Sequence, residues 1–254
     1  MRYVLLVQYD GTHFSGFQRQ ENIRTVQGEL ERAAAEIFHT PTRVVGSGRT
    51  DAGVHAFGQV CHLDGETTIP AEKLREAFNP LLPPDLKIIK SALAPEGFDC
   101  TRNAKRKTYR YTAYYSECDQ PLLNRYAVRL REKPDTERMR GAAAILEGEH
   151  DFKAFSSTGS SAKTSVRTVY EIAIKTSQIP FGEKYEIEVT GNGFLYNMVR
   201  ILAGELVSIG CGKGISNIER AFLSGERSLI AKTMPAAGLT LIFVDYGVPL
   251  FGGE

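Results

Sequence analysis

The segment Gly46-Ser47-Gly48-Arg49-Thr50-Asp51-Ala52-Gly53-Val54-His55-Ala56 brings a carboxylate, a guanidinium and an imidazole onto one short, glycine-rich stretch. Glycine lacks a Cβ, so such a stretch can turn tightly and approach a ligand closely with its backbone. Arg49 stands two positions from Asp51, and a nearby cation keeps a carboxylate ionised and aimed. An ordinary connection with a local ion pair would look the same at this level. A phosphate-cradling loop would not. No GK[ST] is present, GSGRTD lacks the third glycine of GxGxxG, and the following residues read as strand rather than helix. His55, beside a tight turn, reads as a structural hydrogen-bond partner rather than an acid or base.

Two further stretches carry chemistry-bearing residues. Arg102, Lys105, Arg106, Lys107 and Arg110 are interleaved with Tyr109 and Tyr111. Cations for phosphates and flat rings for bases suit single-stranded or flipped nucleotides, and a half-buried strand with a solvated basic edge is the other reading. On a strand Tyr109, Tyr111, Ala113 and Tyr115 share one face, and Arg106, Thr108, Arg110 and Thr112 the other. In Gly191-Asn192-Gly193-Phe194-Leu195-Tyr196-Asn197-Met198-Val199-Arg200 a strand turns sharply into a helix. Tyr196, Asn197 and Arg200 then fall on one polar stripe of that helix, and an arginine there wants a carboxylate or phosphate.

The elements that position these residues follow from hydrophobic spacing. A buried strand at 3 to 9 ends at Asp10-Gly11. A helix at 26 to 38 carries Val26, Leu30, Ala33, Ala34, Ile37 and Phe38 at helical spacing. Thr25 caps it, and Gly28 denies it a capping box. Strands at 42 to 46 and 57 to 63, a short helix at 71 to 78 stopped by prolines, and a strand at 86 to 92 complete the order βαββαβ. The order recurs as strand 106 to 115, helix 135 to 147, strands 167 to 175 and 184 to 190, helix 194 to 209 and strand 238 to 246, with an inserted helix at 216 to 224. The expected fold is α+β, two ferredoxin- or RRM-like βαββαβ halves, 1–104 and 105–254. The Ser/Thr/Gly-rich segment 156 to 165 reads as a mobile loop.

Composition sets limits. The chain has 254 residues, 42% of them hydrophobic, which is enough to bury a core. No stretch approaches the ~18 unbroken apolar residues of a membrane span, and the N-terminus lacks a signal-peptide pattern, so the expected location is cytoplasmic, away from membranes. Cys61, Cys100, Cys118 and Cys211 lie far apart with no CxxC or HxxxH, indicating neither a zinc site nor a disulfide framework. The net charge of +1 means that a nucleic acid must be held by local basic clusters.

Together, GRTDAGVHA, the KRKTYRY strand, NGFLYNMVR, and Ala236-Ala237-Gly238-Leu239 followed by Val244-Asp245-Tyr246 resemble the TruA family of tRNA pseudouridine synthases. The resemblance spans nearly the whole chain and includes the opening YDGTHFSGFQRQ and the helix TVQGELERA, in family order and spacing. One departure is visible: Phe17 stands where the family typically has tryptophan, which bears on packing or RNA contact. The resemblance implies a pseudouridine-synthase sheet, mixed and largely antiparallel, with flanking helices and a central cleft between the halves. It implies that Asp51 is the catalytic aspartate, acting on the sugar as nucleophile or as base. Tyr109 would pack on the target base, Arg200 would pair with the aspartate, and Arg49 would fill the gap in the RNA stem. Lys105, Arg106, Lys107 and Arg110, with Gln18 and Arg19 of the opening motif, would contact RNA. No metal or organic cofactor is expected. The implied substrate is the tRNA anticodon stem-loop at uridines 38, 39 and 40, and the implied assembly a homodimer.

Two other functions compete. A non-catalytic RNA-binding protein on paired RRM-like units explains the basic, aromatic strand, but no RNP1 pattern is present and GRTDAGVHA is left without a purpose. A nucleotide-binding or glycoside-cleaving enzyme needs a phosphate loop or a second carboxylate beside Asp51, and neither is evident.

Overall fold

A computed structural model describes residues 1–159 and 162–252. Ser160 and Ser161, in the segment expected to be a mobile loop, lie outside the described residues. In chain order the elements are β1 (Arg2–Tyr9), α1 (Val26–Phe38), β2 (Val44–Gly46), β3 (His55–Asp64), α2 (Leu74–Phe78) and β4 (Leu86–Leu93). There follow β5 (Arg106–Ser116), β6 (Val128–Leu130), α3 (Thr136–Leu146), β7 (Gly148–Asp151), β8 (Val166–Ile179), β9 (Gly182–Gly191), α4 (Met198–Gly210), α5 (Ser216–Ser224) and β10 (Leu239–Asp245). The fold is α+β with mostly antiparallel strands. It divides into two compact units, Met1–Arg106 with Thr240–Glu254, and Lys107–Leu239.

In the first unit the strands run β4-β1-β3-β10, with β2 also on β3. β1 is antiparallel to both neighbours, and its residues Val4, Leu5 and Val7 are fully buried, as expected of a continuous apolar strand. α1 starts where Thr25 accepts a hydrogen bond from Gly28 N at 3.2 Å, and it buries Val26, Leu30, Ala33, Ala34 and Phe38. The strand expected at 238 to 246 is β10, and it pairs in parallel with β3 through Thr240 opposite His55 and Leu241 opposite Ala56.

In the second unit β5, β9, β8 and β7 form an antiparallel run, with β6 parallel to β5. Tyr109, Tyr111 and Ala113 are buried along β5, but the alternation then breaks, because Tyr114 is buried and Tyr115 is not. The cause is the following loop: the Tyr114 hydroxyl donates to Asn124 Oδ1 at 2.5 Å and accepts from Gln120 N at 3.0 Å. The short strands β6 and β7 were not expected. α4 begins at Met198, four residues later than the spacing suggests. Asn197 has φ 63°, a left-handed conformation that asparagine tolerates and that interrupts an α-helix. Tyr196 and Asn197 therefore precede the helix rather than sharing a stripe with Arg200. Among the described residues no helix is long and apolar enough to cross a membrane.

Candidate active site

Asp51 lies in the connection between β2 and β3, and its neighbours fix that connection. Ser47 N donates to Val60 O at 2.8 Å and its hydroxyl to Gln59 Oε1 at 2.6 Å, while Gln59 Nε2 returns a bond to Gly48 O at 2.8 Å. Ser47 and Gln59 are both fully buried. Tyr9 Oη and Thr50 Oγ1 are hydrogen-bonded at 2.8 Å, and Thr50 O accepts from Phe17 N at 2.9 Å. Val54 N donates to Asp51 O at 3.1 Å, closing a turn whose third residue, Gly53, has φ 79°, as a type II turn requires.

The opening motif is the cradle of this loop. A Cβ on Gly11 would stand 2.0 Å from Val54 O, and one on Gly16, whose φ is 92°, would stand 2.9 Å from Thr50 O. The spacing of YDGTHFSGF thus follows from close backbone approach to residues 50–54, a meaning that the sequence pattern alone does not carry. His55 is buried, and its Nδ1 accepts from Gly11 N at 3.0 Å, with Asp10 Oδ1 at 3.1 Å. It is a structural partner, as expected. Phe17 is buried with its ring against Gly46, where a Cβ would come within 2.5 Å of it, so the departure from tryptophan falls on packing. Asp51 is partly exposed and Arg49 exposed, on a backbone held from both sides. Among the described residues Arg49 makes no ion pair, so the local pairing suggested by its position does not form.

The second unit presents Tyr109 and Arg200. The Tyr109 ring meets Phe194 edge-on, with centroids 5.4 Å apart and planes at 88°. Tyr111 is fully buried, its hydroxyl donates to Pro235 O at 2.8 Å, and burial pushes its phenol above the usual range. A Cβ on Gly238 would stand 2.6 Å from Tyr111 Cζ, which accounts for glycine in Ala236-Ala237-Gly238. Arg200 donates from Nε to Met234 O at 2.7 Å and from its guanidinium to Asn197 Oδ1 at 2.6 Å. Asn197 Nδ2 in turn donates to Ser157 Oγ at 3.0 Å, and Ser157 N to Tyr196 O at 3.1 Å.

Sequence reasoning missed Glu205. It is fully buried on α4, and its Oε2 accepts from Lys213 Nζ and Ala231 N, both at 2.6 Å. Through Ala231 it fixes the segment whose Met234 carbonyl orients Arg200. The available signal was a lone acid among Ala203, Gly204, Leu206 and Val207.

The expected RNA-contacting cations differ in their surroundings. Lys105 and Arg106 are exposed and Lys107 is half-buried. Arg110 is committed to the sheet, with Nε 2.8 Å from Glu188 Oε1 and a second nitrogen 3.5 Å from Glu186 Oε1. Burial pushes the Glu188 carboxyl up, and Arg110 with Lys175 more than offsets this, holding it below the usual range. Gln18 and Arg19 are exposed and line a groove with Gln27, Arg32 and Arg43, and Arg19 pairs with Glu31 at 3.2 Å.

The sequence pattern of a family described as tRNA pseudouridine synthase matches residues 5–101 and 142–247. The chain belongs to that family. A relative named tRNA pseudouridine synthase A from Limosilactobacillus reuteri is 42% identical over 97% of this chain and 97% of its own. Another of that name from Shouchella clausii is 43% identical over 98% of this chain and 94% of its own. A third, from Acetivibrio thermocellus, is 40% identical over 95% of this chain and 98% of its own. As a tRNA pseudouridine synthase the protein is an isomerase. A solved archaeal box H/ACA sRNP Nop10-Cbf5 complex aligns with a TM-score of 0.36 and 14% identity, over 83% of this chain and 43% of that one, too slight a likeness to argue from.

Proposed function

We propose that the chain converts uridine to pseudouridine in the tRNA anticodon stem-loop, at positions 38, 39 and 40, with Asp51 as the catalytic carboxylate. The observation that carries this reading is a backbone immobilised on both sides of a partly exposed aspartate, the condition for aiming a reactive group. The C1′–N1 bond breaks, the uracil turns, a C1′–C5 bond forms, and the proton lost from C5 is balanced by one gained at N1. The atoms are only rearranged, so the reaction draws on no redox carrier, metal or organic cofactor. Asp51 acts on the sugar, as nucleophile or base. Tyr109 packs on the base, and its hydroxyl can relay the C5 proton. Arg200 supplies positive charge to the reacting site, and Arg49 enters the gap left in the stem.

Lys105, Arg106, Lys107 and Arg110, with Gln18 and Arg19, contact the RNA, Arg110 only with the charge that Glu188 leaves it. The setting is the cytosol and the acting form a homodimer, as the family resemblance suggests. The test is incubation with uridine-labelled tRNA in excess EDTA, without nucleotide, followed by mapping of the product. Pseudouridine at 38 to 40 is the expected result. Modification confined to another arm of the tRNA overturns the site assignment, and activity restored only by added metal, with the tRNA still folded, overturns the chemistry.

A further inference from the structure

Arg167 stands near the start of β8, opposite His150 of β7. One of its terminal nitrogens donates to Thr164 O at 3.0 Å, Val166 O at 2.6 Å and Thr164 Oγ1 at 3.4 Å. These are neutral acceptors. Among the described residues no carboxylate comes within ion-pair distance, and Nε and the other terminal nitrogen donate to nothing. The side chain is nevertheless half-buried, and burial alone lowers its pKa. Arg24 of the first unit shows the usual arrangement: its guanidinium is forked onto Asp85 at 2.7 and 2.9 Å, and that bond, against burial, raises its pKa. A half-buried cation with open donors and no counter-charge is costly to maintain for structure alone.

The surroundings indicate what the open donors face. Arg167 Nε lies 3.9 Å from where a Cβ on Gly193 would be, and, the chain neighbours Asn192 and Phe194 aside, no other atom of the described residues comes within 4 Å of that point. Phe194, the next residue, is the aromatic neighbour of Tyr109. Asn192 pins the turn, accepting from Thr168 N and donating to Thr168 O, both at 3.0 Å. On the other side of β9, Lys107 pairs with Gly191, as Val169 does from β8. The end of β9 is thus flanked by cations on both neighbouring strands, next to the ring assigned to the target base. A planar guanidinium with two free donor directions matches a phosphate's oxygens.

We propose that Arg167 binds a backbone phosphate flanking the target uridine, holding the nucleotide so that its base rests at Tyr109. This rests on the reading of Tyr109 given above. The test uses tRNAs assembled with a neutral methylphosphonate on the 5′ or the 3′ side of the target uridine, together with wild type and Arg167→Gln. With wild type, one of the two should bind about tenfold more weakly than native tRNA, the size of a missing charge-assisted bond. Arg167→Gln should lose about the same on native tRNA, and the two changes combined should cost no more than either alone. Arg167→Lys, which keeps the charge but not the fork, should recover part of the loss.

Losses that multiply overturn the proposal and leave Arg167 as a clasp for Thr164 and Val166. So does a wild type indifferent to both methylphosphonates, which decides the question even if Arg167→Gln fails to fold. Product formation by wild type on native tRNA is followed in the same experiment. Its absence overturns the proposed function, whereas turnover with multiplying losses overturns only the role of Arg167.

Discussion

The loop that carries Asp51 and the turn that leads into Arg200 are both irregular, yet they are held by different means. In the first, the neighbours do the holding: Ser47, Gln59, Thr50 and Tyr9 bond around the aspartate, and Gly11 and Gly16 let two backbones touch. In the second, the side chain proposed to act is itself a fastener, since the Arg200 guanidinium ties Met234 O to Asn197. An isosteric change at Asp51 should therefore spare the backbone that its neighbours hold, whereas chemistry and stability should be entangled at Arg200.

The sharpest test of that contrast is Asp51→Asn, which keeps shape and hydrogen-bond acceptance but removes the charge proposed to act on the sugar. Single-turnover pseudouridine formation with saturating enzyme should fall below detection, with tRNA affinity and Tm close to wild type. A rate within tenfold of wild type removes Asp51 from the mechanism. Next in size, Gly11→Ala drives a methyl group into Val54 O and should cost about 3 kcal/mol, read as a lower urea midpoint with unchanged slope. If stability is unaffected, the close approach of the two backbones does not hold the loop.

Arg200→Met should lose on both counts, slowing turnover and costing about 1–2 kcal/mol for two charge-assisted bonds at a half-buried site. Slowed turnover at full stability would show that Met234 and Asn197 do not depend on it. The smallest effect is in salt dependence. Lys105→Ala with Lys107→Ala should flatten the log–log dependence of tRNA affinity by roughly one unit for each phosphate that is no longer neutralised. Arg110→Gln should change it less, because Glu188 and Glu186 already neutralise that cation; equal slopes would put Arg110 on the RNA.

Much of the fold was legible because its signals are local. β1 ends where Asp10-Gly11 breaks it, α1 begins at a threonine cap, and α5 spans the residues its spacing indicates. Errors arose where a distant residue decides the local state. α4 starts late because Asn197 is drawn toward Ser157, forty positions away in sequence. Tyr114 turns inward because Gln120 and Asn124 fold over its hydroxyl. The three and four residues of β6 and β7 are too short to show a period.

At the candidate site the residue types were legible and their surroundings were not. Spacing cannot show that Arg110 meets Glu188 across the sheet, that Glu205 is buried, or that Arg167 meets no carboxylate among the described residues. Nor can it show that Gly11 is required by Val54. Each of these depends on a partner brought close only by the tertiary fold.

β10 gives the first unit a particular order of synthesis. β3 lacks its parallel neighbour at His55 and Ala56 until residues 240 and 241 have been made, and Tyr246 must then bring its hydroxyl to Cys100 O, 2.8 Å away in the finished fold. On a ribosome adding roughly 5–20 residues per second, all of Lys107–Leu239 is translated while that strand edge waits. The first unit to emerge is thus the last to be completed, and nascent chains stalled before Thr240 should expose the Asp51 loop to protease in a way that chains released after Tyr246 do not. Protection equal in the two would mean that β1, β2 and β4 suffice to close the unit without β10.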